Sequence, residues 1–344
     1  MSPRKALPLL ALALLSACSP VYVARSASGH AGLLWRRRSI AKTVADPATP
    51  PELKKKLELA LEIRAFAFEK LGLTRSHAYE TWTPVKGGAL TWLVSASDRT
   101  RLKALLFHFP PVGSYPYKGH FRRDLADAEA VSLEKKGFDA TVSGAAAYKT
   151  PLPISDPLPS TVLDYDAGGL ADTLIHELTH GTVYFRNQTD FDEAVATWAG
   201  ERGAELFLTE RYGPESPQMK EWRNGNAEGA KREKLYADLR ARLESLYGGP
   251  GTAAEKLEKR TAIFDWARAE AKTRGLAPLR EPLNNAVVLA HALYAPDFAP
   301  FDALYEKNRR DWPKTIAALK ALDRRDPFAS LRNYPDRMVK LTPE

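Results

Sequence analysis

The sequence predicts a helix-dominated α+β fold, with a small antiparallel or mixed sheet in the first half followed by a long helical region. Two observations carry this. Runs at 89–97 and 103–109 have the apolar and aromatic content of strands and are separated by a polar turn. From residue 167 onward, apolar positions recur at helical spacing nearly to the end. No unit repeats along the chain, which excludes a solenoid. The 344 residues are 44% hydrophobic and 27% charged, too apolar for a disordered chain and sufficient for a sizeable core. The single cysteine excludes an intrachain disulfide, an iron–sulfur cluster and a Cys-rich zinc site. Past the leader, no apolar run approaches the roughly 18 residues of a spanning helix, which excludes a membrane bundle.

In chain order, residues 1–17 read as an export signal. Arg4 and Lys5 precede a largely apolar run from Ala6 to Leu15 and a small-residue exit at Ser16-Ala17. Ten helical residues reach only about 15 Å, half of a bilayer core. Leu15-Ser16-Ala17-Cys18 resembles a bacterial lipobox, which implies that Cys18 is lipidated and begins the mature chain. By resemblance to sorted lipoproteins, Ser19 in place of an acid implies the outer membrane of a bacterial envelope, facing the periplasm. Removal of the leader lowers the formal charge from +8 by two. The remaining excess reads as dispersed among many acids, a solvated surface and not a nucleic-acid footprint.

Residues 18–32 then read as a short polar tether, and 33–344 as one domain. Helices are expected at 33–46 and 52–72, the second opened by Pro50-Pro51 and striped by Leu53, Leu57, Ala60 and Ile63. The strands at 89–97 and 103–109 lead to a Pro-, Gly- and Tyr-rich loop at 110–121. A charged helix at 122–136 and a third strand at 138–143 complete the first half, 33–150. Two helices within 167–212 meet at the turn Asn187-Gln188-Thr189. A charged helical hairpin covers 216–275, and three shorter helices 280–335.

The chemistry concentrates in Leu-Ile-His-Glu-Leu-Thr-His at 174–180. On a helix, His176 and His180 share one face about one turn apart and can bind one metal, while Glu177 can reach a metal-associated water. Two imidazoles and one carboxylate suit zinc and leave a fourth position open. The bland alternative is a pair of histidines satisfied on a packed face. A third ligand must come from downstream. Val183 and Arg186 stand where the metzincin pattern needs Gly and His, so that pattern is excluded. The acidic candidates are Asp190, Asp192, Glu193 and Glu201. Asp190 and Glu193 also have the spacing of a capping box, and simple antiparallel geometry brings Glu201 nearer the level of His180. Spacing leaves the choice open.

HELTH followed by DEAVATWAGERG resembles the gluzincin metallopeptidases, in which a glutamate opening the second helix binds zinc. More narrowly, the chain resembles a family of bacterial lipoproteins described as predicted aminopeptidases. The shared features are the lipobox, DPATPPELKKKLELALEIRAFA at 46–67, PVGSYPYKGHF at 111–121, HELTH, and LNNA at 283–286 with Tyr294 following. The resemblance implies Glu193 as third ligand, one Zn(2+) per chain, and a zincin-like region around HELTH. Two departures stand out. His108 and Ser114 occupy positions where the family carries a cysteine pair, and Asp192 replaces an asparagine before the ligand glutamate.

The expected reaction is hydrolysis of a peptide or protein substrate, with Glu177 as general base. Tyr294 and Tyr117 are candidate oxyanion donors and His291 a weaker one; each also reads as simple packing. Glu201 or Glu205 are guesses for an anchor of a substrate amine. The rival readings are an envelope endopeptidase and a catalytically silent binding lipoprotein. Oligomeric state leaves no mark on the sequence.

Overall fold

A computed structural model describes residues 20–109, 113–147, 155–293 and 297–334. Cys18 and Tyr294 lie outside these residues.

The chain opens with α1 (Pro20–Trp35), β1 (Arg38–Ser39), α2 (Ile40–Ala45) and α3 (Pro51–Glu69). Pro51 begins α3, where its missing N–H matters least, and Leu57, Ala60, Ile63 and Ala67 line its buried face. Residues 20–32, expected as a tether, are helical. The Tyr22 hydroxyl donates to the Gly119 carbonyl at 3.0 Å, and Thr83 Oγ1 donates to the Leu33 carbonyl at 3.3 Å. Gly29 sits under Phe121, where a Cβ would come within 2.2 Å of the ring. Small residues that read as a linker are therefore the means of close docking.

The strands are β2 (Thr81–Thr83), β3 (Thr91–Asp98), β4 (Phe107–Phe109), β5 (Gly113–Tyr115), β6 (Tyr117–His120), β7 (Phe138–Ala145) and β8 (Leu158–Pro159), with α4 (Arg123–Lys135) before β7. The main sheet has the order β6-β3-β7 and is antiparallel throughout. A second sheet, β1-β2-β8, is mixed, with β2 parallel to β8. Only the end of the expected strand at 103–109 is extended, and the expected loop after it folds into β5 and β6. Here β4 and β5 form a hairpin in which His108 lies opposite Ser114 and its Nδ1 is 2.7 Å from the serine Oγ. The two positions for which the resemblance leads one to expect a cysteine pair thus face each other, joined by a hydrogen bond.

The second half is helical as expected: α5 (Ala167–His180), α6 (Thr189–Tyr212), α7 (Pro217–Gly248) and α8 (Ala253–Thr273). The last part holds, among the described residues, four helices where three are expected, α9 (Asn285–Leu293), α10 (Ala299–Lys307), α11 (Trp312–Lys320) and α12 (Pro327–Arg332). Among the described residues, no helix is long and apolar enough to cross a membrane.

Among the described residues, three apolar clusters organise the molecule. The largest joins α3, α5, α6, α10 and α11 around Trp198, Phe191 and Phe301. A second fills the α7–α8 hairpin and receives Val287 and Val288 of α9, and a third lies between the main sheet and α4. The LNNA segment joins the last two. Asn284 Nδ2 donates to the Ala140 carbonyl, and Asn285 N donates to Asp139, which Arg260 of α8 grips through two nitrogens at 2.6 and 3.0 Å. The asparagines are buried and hold strand to helix, a structural role for that motif.

Candidate metal centre

Helix α5 starts cleanly because Asp166 accepts from Gly169 N at 2.7 Å. Leu170, Leu174, Ile175 and Leu178 fill its buried side and fix its rotation, leaving His176 and His180 on a partly accessible face. The chain then reverses over 181–188, with Asn187 in the left-handed region at φ 64°. Asp192 is buried and accepts the Phe185 N–H at 2.8 Å, which ties the turn to the first coil of α6. Burial pushes Asp192 up to about 7, against that N–H.

Helix α6 packs on α5 through small residues. A Cβ on Gly200 would lie 2.3 Å from Asp172 Oδ1, 3.0 Å from the Asp172 carbonyl and 3.3 Å from His176 Cβ. This approach sets the level of one helix against the other. Glu193 falls beside the two histidines, whereas Glu201, two turns on, falls beside Asp172. The antiparallel expectation that Glu201 lies nearer His180 is therefore wrong in register. The capping box is also absent: α6 begins at Thr189 without a side-chain cap, Asp190 is inside the first turn, and Glu193 turns toward the imidazoles.

Glu193 Oε2 is 3.4 Å from His176 Nε2 and 3.7 Å from His180 Nε2, and the two Nε2 atoms are 3.2 Å apart. Zinc holds imidazole nitrogen and carboxylate oxygen at about 2.0–2.2 Å, so tetrahedral neighbours are separated by about 3.3 Å. The three donor separations match the edges of such a tetrahedron. Among the described residues, this is the one group of three or more His, Cys, Asp or Glu with ligand atoms close enough to hold a metal.

The electrostatics match a site built for positive charge. Burial pulls His176 down, but Glu193 and the neighbouring acids outweigh it and raise it to about 9. Burial pushes Glu193 up, but hydrogen bonds from both histidines overcome it and hold the carboxyl well below its ordinary range. Glu177 is different. Its Oε2 is buried without a hydrogen-bond partner, and burial is the main reason its carboxyl lies above the ordinary value. Burial raises the proton affinity of this carboxylate against the opposing field of the two imidazoles, and its orphaned oxygen is placed to accept a proton arriving from elsewhere.

Tyr117 reaches the site from β6: its hydroxyl donates to Glu193 Oε1 at 3.4 Å, opposite the oxygen that faces the histidines. Tyr115 and Tyr184 stand beside it with hydroxyls 3.3 Å apart. Sequence reasoning missed Tyr184, whose position just past the HELTH helix is its one signal. His291 is not in this group. It stacks on Tyr236 of α7 with ring centroids 3.7 Å apart, and burial drives it down to about 4.

A family described as "Putative aminopeptidase" has a model that matches residues 21–331. The chain belongs to this family. No curated protein and no solved structure matches the chain. The family match spans the main sheet, the paired helices and the LNNA segment, so the elements that build the cluster all fall within it.

Proposed function

We propose that the chain is a zinc-dependent peptidase, an aminopeptidase by its family's description, held on the bacterial envelope through a lipid on Cys18. The observation that carries the reading is the triangle of His176, His180 and Glu193, whose separations suit tetrahedral zinc. These three residues would hold one zinc per chain, in the zincin-like arrangement of HELTH and a following glutamate. Bound there, zinc supplies Lewis acidity and a water of lowered pKa.

The remaining work belongs to the protein. Glu177 accepts the proton of the attacking water at its carboxylate and returns it to the leaving amine nitrogen. Its unpartnered Oε2 supports that assignment. Tyr117 keeps the second oxygen of Glu193 engaged, which supports a ligand-orienting role over the expected role as oxyanion donor. Tyr294 stays in the reading as a candidate oxyanion donor.

The purified protein should contain one zinc per chain, removed by chelation together with peptide hydrolysis and restored by zinc addition. Glu193→Ala should lose zinc while Glu201→Ala retains it; the reverse result would overturn the ligand set. Hydrolysis of free but not N-acetylated peptides separates the aminopeptidase reading from an endopeptidase.

A further inference from the structure

Helix α1 buries one side and leaves the other uncovered. Three of the seven large apolar side chains exposed among the described residues lie on it: Val21 at 55%, Val23 at 50% and Trp35 at 91%. Val21 and Trp35 fall on one stripe with Ala24, Ser28 and Ala31, all exposed, at spacings of three and four. Tyr22, Gly29 and Leu33 take the opposite side and dock on the body.

The charge follows the same segment. Residues 18–45 carry Arg25, Arg36, Arg37, Arg38 and Lys42 and no acid, while 46–344 balance 43 basic against 42 acidic residues. The positive excess of the mature chain, expected to be dispersed, is thus concentrated around α1. Arg25, Arg36, Arg37 and Arg38 are all exposed.

The position of Cys18 decides what such a face meets. Only Ser19 separates it from the start of α1. We infer that the outer face of α1 lies flat on the anionic lipid surface that the acyl chains of Cys18 enter, with Trp35 as an interfacial anchor and the arginines on lipid phosphates. This rests on the lipid-anchored reading of Cys18. A helix of 16 residues is about 24 Å long, so Cys18 and Trp35 can share one membrane only if the helix lies in its plane. Aromatic side chains at the headgroup level and basic residues beside an anionic leaflet are the chemistry such a surface selects.

The test uses the mature protein reconstituted in vesicles of phosphatidylethanolamine and phosphatidylglycerol, with spin labels on Ala31→Cys, Trp35→Cys or, as an exposed control, Glu258→Cys. Mass spectrometry of the N-terminal peptide reports acylation separately. The expected result is higher oxygen and lower nickel-chelate accessibility at 31 and 35 than at 258. Arg36→Gln/Arg37→Gln should weaken the contrast, as should replacing the anionic lipid with phosphatidylcholine. Labels at 31 and 35 that are as aqueous as the control in an acylated chain would overturn the inference while leaving the anchor intact. Lipid-independent broadening between labels on two copies would also overturn it and assign the face to a second copy. An unacylated chain whose labels still enter lipid would remove the anchor and keep the face; an unacylated chain with aqueous labels would remove both.

Discussion

Glu177 and Tyr117 touch the same cluster but are expected to fail differently when altered. Glu177→Gln keeps shape and removes the proton acceptor, so hydrolysis should fall by about 10²–10⁴-fold. Zinc content measured by metal analysis should not change, because no ligand is lost. Tyr117→Phe removes only the bond to Glu193 Oε1. Loss of an outer partner lowers metal affinity by about 10–100-fold, and activity should recover at saturating zinc. A kcat deficit that persists at saturation would instead make Tyr117 a donor to the reacting carbonyl. Glu177, His176 and His180 were legible as a motif, since helical spacing is local. Glu193 is legible only through the family resemblance, because its competitor Glu201 has the same chemistry and spacing alone does not separate them.

At the scale of elements, that register is set by a residue that contributes no side chain. Gly200→Ala would press a methyl group against the Asp172 carboxylate and backbone and toward His176. We expect a loss of about 1–3 kcal/mol in urea unfolding and a parallel fall in zinc affinity, since α5 must slide relative to Glu193. Helices α3 to α8 are legible in outline, because their apolar faces and breakers repeat locally, but α5 ends at His180, six residues before the expected 186. Residues 20–32 read as a tether for the opposite reason. Their Ala, Ser and Gly content has the look of a linker, and only the partners Phe121 and Gly119, over 90 residues away, make them a docked helix. The paired strands β4 and β5 read from the sequence as strand and loop, since Pro and Gly signal a turn without stating which strands it joins.

For the whole molecule, stability should respond to the half-buried acids at the α5–α6 interface, Asp172 and Glu201. Burial first, then the charge of Asp172, pushes Glu201 up to about 7 from an ordinary 4.5. A carboxyl raised in the folded state contributes stability while protonated and loses it as pH rises through the folded value. The metal-free chain should therefore lose on the order of 1–2 kcal/mol between about pH 5 and pH 7.5 from this group alone. Glu201→Gln should flatten that part of the profile, followed as the urea midpoint against pH. The site is also linked to the N-terminal helix through touching rings. Tyr22, Phe109, Tyr115 and Tyr117 follow one another at centroid distances of 5.9, 6.1 and 5.8 Å.

Asn187 sits where these pieces meet. It turns the chain between α5 and α6, and its side-chain Oδ1 accepts the Ser114 N–H at 3.3 Å, beside a Gly113 whose φ of 140° and lack of a Cβ leave room for it. One amide thus fastens the turn between the His176/His180 helix and the Glu193 helix to the ribbon carrying Tyr115. Lengthening or shortening that reversal by a single residue would disturb the α5–α6 register and the seat of the β4–β5 ribbon together, so natural variation in length should avoid 185–189 and collect in the outlying connections instead.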